Sequence, residues 1–347
     1  MRNDLGAFMA TMVARSQPVP TEAAVALALE RYGLETRAAR LTGERDENFR
    51  LSAADGAEFV LKVAHAAEEP AVTDLPTAAL LHLETTDPTL PCPRVVRDLA
   101  GSTRVRFLDA AGRARTARML TYLPGKLIAT TTRSVRQRQA CGRIGGRLST
   151  ALRGFEHPAA HRSIVWDVRH APQLRRLLQE LPEFPHRQAA ADLLERIAPP
   201  IESRLPRLRQ QVVHNDLNPL NVLVEPADET RVSGIIDFGD LTHTALIADV
   251  AVTAAEQIPE DCGDDGGRAR ASILDVAIAY HESTPLHEEE LAMLGTLVAA
   301  RLAANLVVHE WHVHHNPGGG HYAPLEADFI RARLAIARDV SREDFRP

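Results

Sequence analysis

The chain has 347 residues, of which 45% are hydrophobic and 25% charged, and its formal net charge is −6. This length predicts two lobes or domains, and the composition excludes a disordered or fibrous protein. The acidic balance gives no reason to expect a nucleic-acid or membrane partner, and no apolar run reaches the roughly 18 residues of a membrane span. The three cysteines are far apart and form no CxxC pair, which favours a reducing, cytoplasmic setting without disulfides.

The N-terminal third is predicted to combine short strands with two helices. Apolar residues recur at helical spacing over 21–32, where Thr21 is a suitable N-cap. Three short strands follow between residues 36 and 66, and an Asp55-Gly56 turn joins the last two. The remaining elements expected in this part are one helix and two strands, at 74–85, 94–99 and 116–123.

Beyond this point the chain is predicted to be mainly helical. Leu123-Pro124-Gly125 interrupts the pattern and marks a hinge between two lobes, at about residues 119–125. A β-rich island at 211–238 is the exception among the helices. The helices are expected at 133–154, 172–180, 186–208, 243–257, 268–281, 286–313 and 323–340. A β-rich first lobe and a mainly helical second lobe outline an α+β, kinase-like fold.

The β-rich island carries the strongest chemical signal. The run HNDLNPLN at 214–221 is followed, after one predicted hairpin, by IIDFGD at 235–240. Phosphoryl transfer needs a carboxylate that accepts the proton of the attacking hydroxyl, and oxygen ligands that hold Mg²⁺ against the phosphates. The alternative is a polar loop rich in turn-forming residues. Both halves nevertheless occur together and in the expected order, each beside an apolar strand.

This spacing assigns a role to four polar residues. Asp216 is predicted to be the catalytic base. Asn221, five residues later, and Asp237, at the end of an apolar strand, are the predicted metal ligands. His214 is grouped with Asp216 in the catalytic motif and is predicted to brace the loop.

The two runs resemble the aminoglycoside phosphotransferase/choline kinase superfamily, whose pattern is HxDxxxxN followed by ID. More narrowly, the chain resembles hydroxylysine kinases. Further matching stretches are GERDENFRL (43–51), VLKV (60–63), RMLTYLPGK (118–126), GFEHP (154–158), VWDV (165–168) and VSGIIDFGD (232–240). The resemblance implies a protein kinase-like two-lobe fold with a nucleotide-binding lobe at 1–122 and a catalytic and substrate lobe at 123–347. It also implies Mg²⁺ as cofactor and ATP or GTP as co-substrate.

The resemblance also implies which residues contact the nucleotide. Lys62, one of only two lysines, corresponds to the strand lysine that contacts the phosphates. Arg45 and Asn48 lie in the hairpin loop that is expected to cover the phosphates. Leu120 and Tyr122 lie where the backbone is expected to meet the purine edge.

The acid partner of Lys62 is expected on the next helix. Asp74 stands where hydroxylysine kinases carry a glutamate, although aspartate is one methylene shorter. Glu68 and Glu69 are alternatives for the same role.

Several absences distinguish the chain from protein kinases and favour a small-molecule substrate. No GxGxxG precedes the first hairpin, no HRD occurs in the loop, and no APE segment follows the second motif. We therefore expect a kinase that phosphorylates a hydroxyl of an amino-bearing metabolite, with hydroxylysine as the example that the resemblance supplies.

Three residues are candidates for binding this acceptor. Arg301 lies in an otherwise apolar helix and needs a partner, which is either a substrate carboxylate or an internal aspartate. Asp240 and Trp166 could contact the acceptor's ammonium group, through charge and through a cation–π contact.

Two other functions remain open from the sequence. One is an aminoglycoside kinase or another amino-alcohol kinase of the choline, ethanolamine or homoserine type. The other is a non-catalytic nucleotide-binding regulator, which the intact set of motif residues disfavours. The acceptor, the choice between ATP and GTP, and the oligomeric state are not determined by the sequence.

Overall fold

The computed structural model describes residues 9, 18–43, 45–316 and 323–346. The chain divides into two compact units. Among the described residues, the β-rich unit extends to Pro124 and includes His157–Ala159, and the helical unit comprises Gly125–Glu156 and the residues from Ala160 onward. That these units act as a nucleotide-binding lobe and a catalytic lobe stays a prediction.

The β-rich unit contains an antiparallel sheet with strand order β1-β2-β3-β6-β4, and β5 also pairs with β6. One face of the sheet packs with helix α1 around residues such as Phe49, Leu61 and Met119, which are fully buried. The elements are α1 (Thr21–Tyr32), β1 (Thr36–Leu41), β2 (Glu47–Ala53), β3 (Glu58–Val63), α2 (Pro70–Thr86), β4 (Val95–Val96), β5 (Val105–Leu108) and β6 (Ala114–Thr121).

The ends of the two helices in this unit differ in detail from the prediction. Pro20 rather than Thr21 is the N-cap of α1, and no side chain bonds to the first turn. Helix α1 ends at Gly33, whose φ of 68° is accessible to glycine at little cost. Helix α2 begins four residues before its predicted start because Pro70 occupies its first position, where proline loses no helical hydrogen bond.

The helical unit contains two small sheets among its helices, with strand orders β10-β9-β7 and β11-β8. Its strands are β7 (Lys126–Leu127), β8 (Gln210–Val213), β9 (Val222–Glu225), β10 (Asp228–Ile235) and β11 (Thr242–Ala245). Its helices are α3 (Val135–Ala151), α4 (Leu174–Glu180), α5 (Arg187–Arg204), α6 (Leu246–Glu256), α7 (Gly266–Ser283), α8 (Glu288–His315) and α9 (Ala327–Val340).

Helix α8 is the central helix of this unit. It packs against α4, α5, α6 and α9. Within the described ranges it is the one helix long and apolar enough to cross a membrane, yet 78% of its most apolar window is buried inside the protein. Its apolar composition is therefore that of a core helix, and the position of Arg301 within it brings a charged group into this core.

Helices α3 and α7 approach each other unusually closely. A Cβ atom added at Gly146 would lie 2.6 Å from the Tyr280 carbonyl oxygen and 2.9 Å from the Ser283 Cβ. Gly142 is equally tight against the Val276 carbonyl. These glycines therefore allow close contact between two helix backbones, next to the segment that carries the catalytic motif.

Candidate active site

The loop that carries the predicted base follows strand β8 and begins with a buried histidine. His214 is fully buried, and its Nδ1 accepts the Asp216 N–H at 3.3 Å. Its ring meets the ring of Phe238 edge to face, with 4.8 Å between centroids. Burial lowers the pKa of His214 to about 4, although Asp237 and Asp240 act in the opposite direction. A neutral ring in these contacts is suited to bracing the loop.

The loop is also anchored from helix α6. Asn215 adopts a left-handed backbone conformation, with φ of 66°. Its N–H donates to Asp249 Oδ1 at 2.8 Å, and the Tyr280 hydroxyl lies 3.4 Å from the other carboxylate oxygen. Asp249 is therefore a structural anchor of the loop. Asp249 could not be singled out from the sequence, because it lies inside an apolar helical segment.

The Asp216 carboxylate is surrounded by hydrogen-bond donors. Asn218 Nδ2 lies 3.0 Å from both carboxylate oxygens. Asn221 Nδ2 donates to Oδ2 at 2.7 Å, and Arg301 Nη2 donates to Oδ1 at 3.0 Å. Because all three groups donate hydrogen bonds to the carboxylate, these bonds stabilise its ionised, proton-accepting form.

The charges around Asp216 act in both directions. Burial raises the pKa of its carboxyl group, Arg301 lowers it, and the neighbouring carboxylates of Asp240 and Glu256 raise it further. A carboxylate with a raised pKa is, while it is ionised, a stronger base than an exposed one. The arrangement is therefore suited to accepting a proton from a hydroxyl group.

The two predicted metal ligands lie on segments that are tied together. The Ile236 N–H donates to the Asn221 carbonyl oxygen at 2.9 Å, which places the start of the Asp237 turn beside Asn221. Asp237 is exposed, has a φ of 57°, and accepts the Gly239 N–H at 3.2 Å. Thus an amide and a carboxylate side chain come from neighbouring loops.

The chemistry of these two side chains fits a divalent cation, which they would hold through one amide oxygen and one carboxylate oxygen. Both amide hydrogens of Asn221 are directed at Asp216, so its amide oxygen is the atom left to face a cation. Across the described residues, no group of three or more His, Cys, Asp or Glu side chains could hold a metal by itself. Mg²⁺ typically takes one or two protein oxygens and completes its octahedron with water and phosphate.

The structure shows internal partners for Arg301. Its side chain is only 4% exposed, and its Nε donates to Glu256 Oε1 at 2.8 Å while Nη2 contacts Asp216. Of the two partners left open by the sequence, an internal carboxylate is therefore the one observed. The sequence around Arg301 does not reveal Glu256 as its partner, because Glu256 lies 45 residues earlier in the chain.

The other two acceptor candidates also lie near this group. The guanidinium of Arg301 lies 5.2 Å from the centroid of the Trp166 ring, so this ring already has one cation–π partner. Contact between Trp166 and an acceptor's ammonium group stays a prediction. Asp240 is buried and is close enough to Asp216 to raise its pKa. Asp240 stays a candidate for contacting a cationic acceptor.

The predicted phosphate-binding residues lie on the sheet of the β-rich unit. Lys62 is buried on β3 and has Asn48 of β2 and Arg118 of β6 as its cross-strand neighbours. Arg45 lies in the turn before β2, next to Glu44, which is outside the described residues. Within the described part of the chain, Asn48 Oδ1 is a buried oxygen without a hydrogen bond.

Asp74 has different partners from the one predicted. It forms an ion pair with Arg104 at 2.9 Å and approaches His157 Nε2 at 3.6 Å. Aspartate has a short side chain, and Asp74 lies on a partly exposed face of α2, which explains why it pairs with these neighbours. Its assignment as the acid partner of Lys62 is not supported.

The segment predicted to contact the purine lies at the end of β6. The N–H groups of Thr121 and Tyr122 donate within the sheet, to the carbonyls of Arg94 and Glu58 at 2.9 and 3.1 Å. Leu120 is buried opposite Val60 in the same sheet. The N–H groups of Thr121 and Tyr122 are thus used within the sheet. That the backbone at Leu120 and Tyr122 meets the purine edge stays a prediction.

Comparisons with known proteins now identify the class. Residues 37–304 match the phosphotransferase enzyme family, and the chain belongs to that family. Hydroxylysine kinase of Mus musculus is 27% identical over 340 residues, covering 90% of this chain and 88% of that protein. The predicted resemblance is confirmed, and the chain is a phosphotransferase.

Solved structures confirm the predicted fold. The structure of amicoumacin kinase hAmiN in complex with AMP-PNP, Ca²⁺ and Ami has a TM-score of 0.67, at 15% identity, and covers 94% of this chain and 95% of that one. A microcompartment-associated aminopropanol kinase has a TM-score of 0.62 at 20% identity, with 90% and 93% covered. The α+β, protein kinase-like fold is that of these enzymes.

Proposed function

We propose that this protein transfers the γ-phosphate of ATP or GTP to a hydroxyl group of a small amino-bearing metabolite, with a hydroxylysine-like acceptor favoured. The observation that carries this proposal is the Asp216 carboxylate, held by three donors beside the paired segments of Asn221 and Asp237. Such a carboxylate can orient a hydroxyl and accept its proton while the oxygen attacks the γ-phosphorus. A nucleoside diphosphate then leaves.

Other residues of this chain have the metal-binding, phosphate-binding and loop-bracing roles in the transfer. Asn221 and Asp237 would hold Mg²⁺, which when bound neutralises charge on the phosphates. Lys62 would contact the phosphates, with Arg45 and Asn48 in the adjacent hairpin. His214 holds Asp216 in place through the backbone rather than exchanging protons, because burial lowers its pKa to about 4.

Two observations support an amino-bearing acceptor. The relative and the structural neighbour described above are named for hydroxylysine and aminopropanol, both of which carry an amino group and a hydroxyl. The carboxylates of Asp240 and Glu256 lie close enough to Asp216 to raise its pKa. Negative charge beside the proposed base favours a cationic acceptor over an anionic one.

The setting that we propose is the cytoplasm, where ATP, GTP and Mg²⁺ are available. Cys92, Cys141 and Cys262 are all buried thiols that form no disulfide, which agrees with a reducing compartment. We propose nucleotide and a small acceptor as the partners, with no nucleic acid and no membrane.

The test is an acceptor panel with ATP and with GTP, measured by release of the nucleoside diphosphate and by mass of the product. The panel contains hydroxylysine, homoserine, 1-amino-2-propanol, ethanolamine, choline and an aminoglycoside. We expect a vicinal amino alcohol to be phosphorylated fastest. Preference for the aminoglycoside would replace the favoured acceptor, and nucleotide binding without transfer to any of them would indicate a non-catalytic regulator.

Two variants make this assay specific for the proposed base. Asp216→Asn should lower kcat by about 10²-fold or more, the range of general-base removal, with little change in nucleotide affinity. Asp192→Asn, an exposed carboxylate on α5, serves as the matched control and should behave as wild type. A well-folded Asp216→Asn enzyme with near wild-type turnover would end the assignment of the base.

A further inference from the structure

The side chain of Glu256, at the end of helix α6, is fixed against helix α8. Its Oε1 atom accepts hydrogen bonds from Arg301 Nε at 2.8 Å and from Asn305 Nδ2 at 2.9 Å. Arg301 and Asn305 are four residues apart and so lie on the same face of α8, one turn apart. The Glu256 carboxylate is therefore held from two positions on one rigid helix.

Arg301 passes this orientation on to Asp216. Its Nη1 donates to the Trp166 carbonyl at 3.4 Å, and its Nη2 donates to Asp216 Oδ1 at 3.0 Å. A guanidinium is planar, so fixing its Nε on Glu256 also fixes the direction in which the other nitrogens point. The Trp166 ring lies along the same group, 5.2 Å from the guanidinium carbon.

Arg301 differs from the other two residues that donate hydrogen bonds to the Asp216 carboxylate. Asn218 and Asn221 belong to the same loop as Asp216 and move with it, whereas Arg301 belongs to the central helix. Among the described residues, Arg301 is thus the donor that ties the base carboxylate to the helical core. Its side chain is 4% exposed, compared with 18% for Asp216.

We propose that Glu256 is a positioning residue that orients the Asp216 carboxylate through Arg301. This inference rests on the proposed function, because it assigns a role within the same transfer reaction. Neither Glu256 nor Arg301 needs to touch the acceptor. Their effect is on how well Asp216 Oδ2 and Oδ1 are aligned when the acceptor hydroxyl arrives, so it is expressed in kcat rather than in acceptor KM.

The decisive variants separate geometry from charge. Arg301→Lys keeps the positive charge, but one compact ammonium group cannot contact both Glu256 and Asp216 as the guanidinium does. Glu256→Ala removes the acceptor that fixes the Arg301 guanidinium, whereas Glu256→Gln keeps an oxygen that can accept the Nε–H. We expect Arg301→Lys and Glu256→Ala to lower kcat by about 10- to 100-fold, the effect of misplacing a reacting group, and Glu256→Gln to restore most of the activity.

Steady-state kinetics with a carboxylate-bearing acceptor and with a plain amino alcohol test the inference. KM for both acceptors and for the nucleotide should stay within about threefold, and the Arg301→Lys/Glu256→Ala double variant should be no slower than the worse single variant. A rise in KM confined to the carboxylate-bearing acceptor would instead make Arg301 an acceptor-binding residue. Lower melting temperatures with unchanged kcat would make the pair merely structural. Either result overturns the inference.

Failure of the proposed function is distinguishable from failure of this inference. If the wild-type enzyme phosphorylates no acceptor, the proposed function fails, and coupling is then measured in unfolding experiments. Because Arg301 links the two carboxylates, the effects of Asp216→Asn and Glu256→Ala on unfolding should not add. Additive effects would show that Glu256 does not act on Asp216 through Arg301.

Discussion

Asn221 Nδ2 donates to both the carbonyl oxygen and the Oδ2 atom of Asp216, at 2.9 and 2.7 Å. The predicted base and one predicted metal ligand are therefore joined directly and cannot move independently. This link explains why an asparagine is suited to position 221. Only an amide side chain can offer two N–H donors to Asp216 and, at the same time, an oxygen to a cation.

Replacing this amide by a carboxylate tests the link. Asn221→Asp keeps an oxygen ligand but removes both donors and places a second negative charge beside Asp216. We expect kcat to fall by about 10²-fold or more, because a like charge makes it harder for Asp216 to stay ionised. Turnover is measured across a Mg²⁺ titration, and recovery of activity at high Mg²⁺ would contradict this explanation.

Asp237→Ala should nearly abolish turnover and raise the Mg²⁺ concentration needed for the remainder. Its carboxylate is exposed and directly follows Ile236, which is bonded to Asn221, and carboxylate oxygens are ligands that Mg²⁺ prefers. Asp228→Ala, which removes an exposed carboxylate on β10, is the matched control. If the Mg²⁺ titration curves of Asp237→Ala and wild type overlay, Asp237 is not a ligand.

The burial of His214 predicts how stability depends on pH. The pKa of His214 is about 4 in the folded protein, against an ordinary value of 6.5. Between these values the unfolded chain binds a proton that the folded protein does not, so stability falls as the pH falls from about 6.5 to 4. The shift corresponds to about 3 kcal/mol in total, and it has no effect above pH 7.

The measurement is urea unfolding of the wild type and of His214→Asn at several values from pH 7.5 to 4.5. At pH 7.5 the variant should be less stable, because it loses the contact of the ring with Phe238. The difference should then narrow as the pH falls, since the variant has no histidine to protonate at this position. Parallel curves would show that His214 is not the source of the pH dependence.

Gly146→Ala should destabilise the fold. The added methyl group would meet the Tyr280 carbonyl oxygen at 2.6 Å, so helices α3 and α7 would have to separate. We expect a loss of roughly 1–3 kcal/mol in the free energy of unfolding, despite the higher helix propensity of alanine. Gly266→Ala in α7, where the nearest atom is at an ordinary 3.5 Å, is the control and should not lower stability.

The elements that carry the chemistry could be predicted because their signals are local. The spacing between His214, Asp216 and Asn221 is fixed within one loop, and the strands before and after it are short apolar runs. Strand β11 was included in a predicted helix from residue 243, because a four-residue strand is too short to show its own period. Strand β5 was missed for the same reason.

The partners of the site residues could not be predicted in this way. Glu256 is linked to Asp216 by the hydrogen bonds of Arg301. Asp216 and Glu256 are 40 positions apart in sequence, and Glu256 and Arg301 are 45 positions apart. Arg301 could be singled out as a charged residue in an apolar helix, but nothing in its own segment says which carboxylate it meets. Asp74 was misassigned because the choice between Lys62 and Arg104 depends on the direction in which a short side chain points.

The near absence of lysine has a practical consequence. The chain has two lysines, Lys62 and Lys126. Lys62 is buried in β3, whereas Lys126 is partly exposed and forms an ion pair with Glu229 at 2.5 Å. An amine-selective acylating reagent therefore has only two side-chain targets besides the terminal amine. Mass spectrometry of the two lysine peptides would then report the burial of Lys62 in the folded protein, because Lys62 should be acylated far more slowly than Lys126.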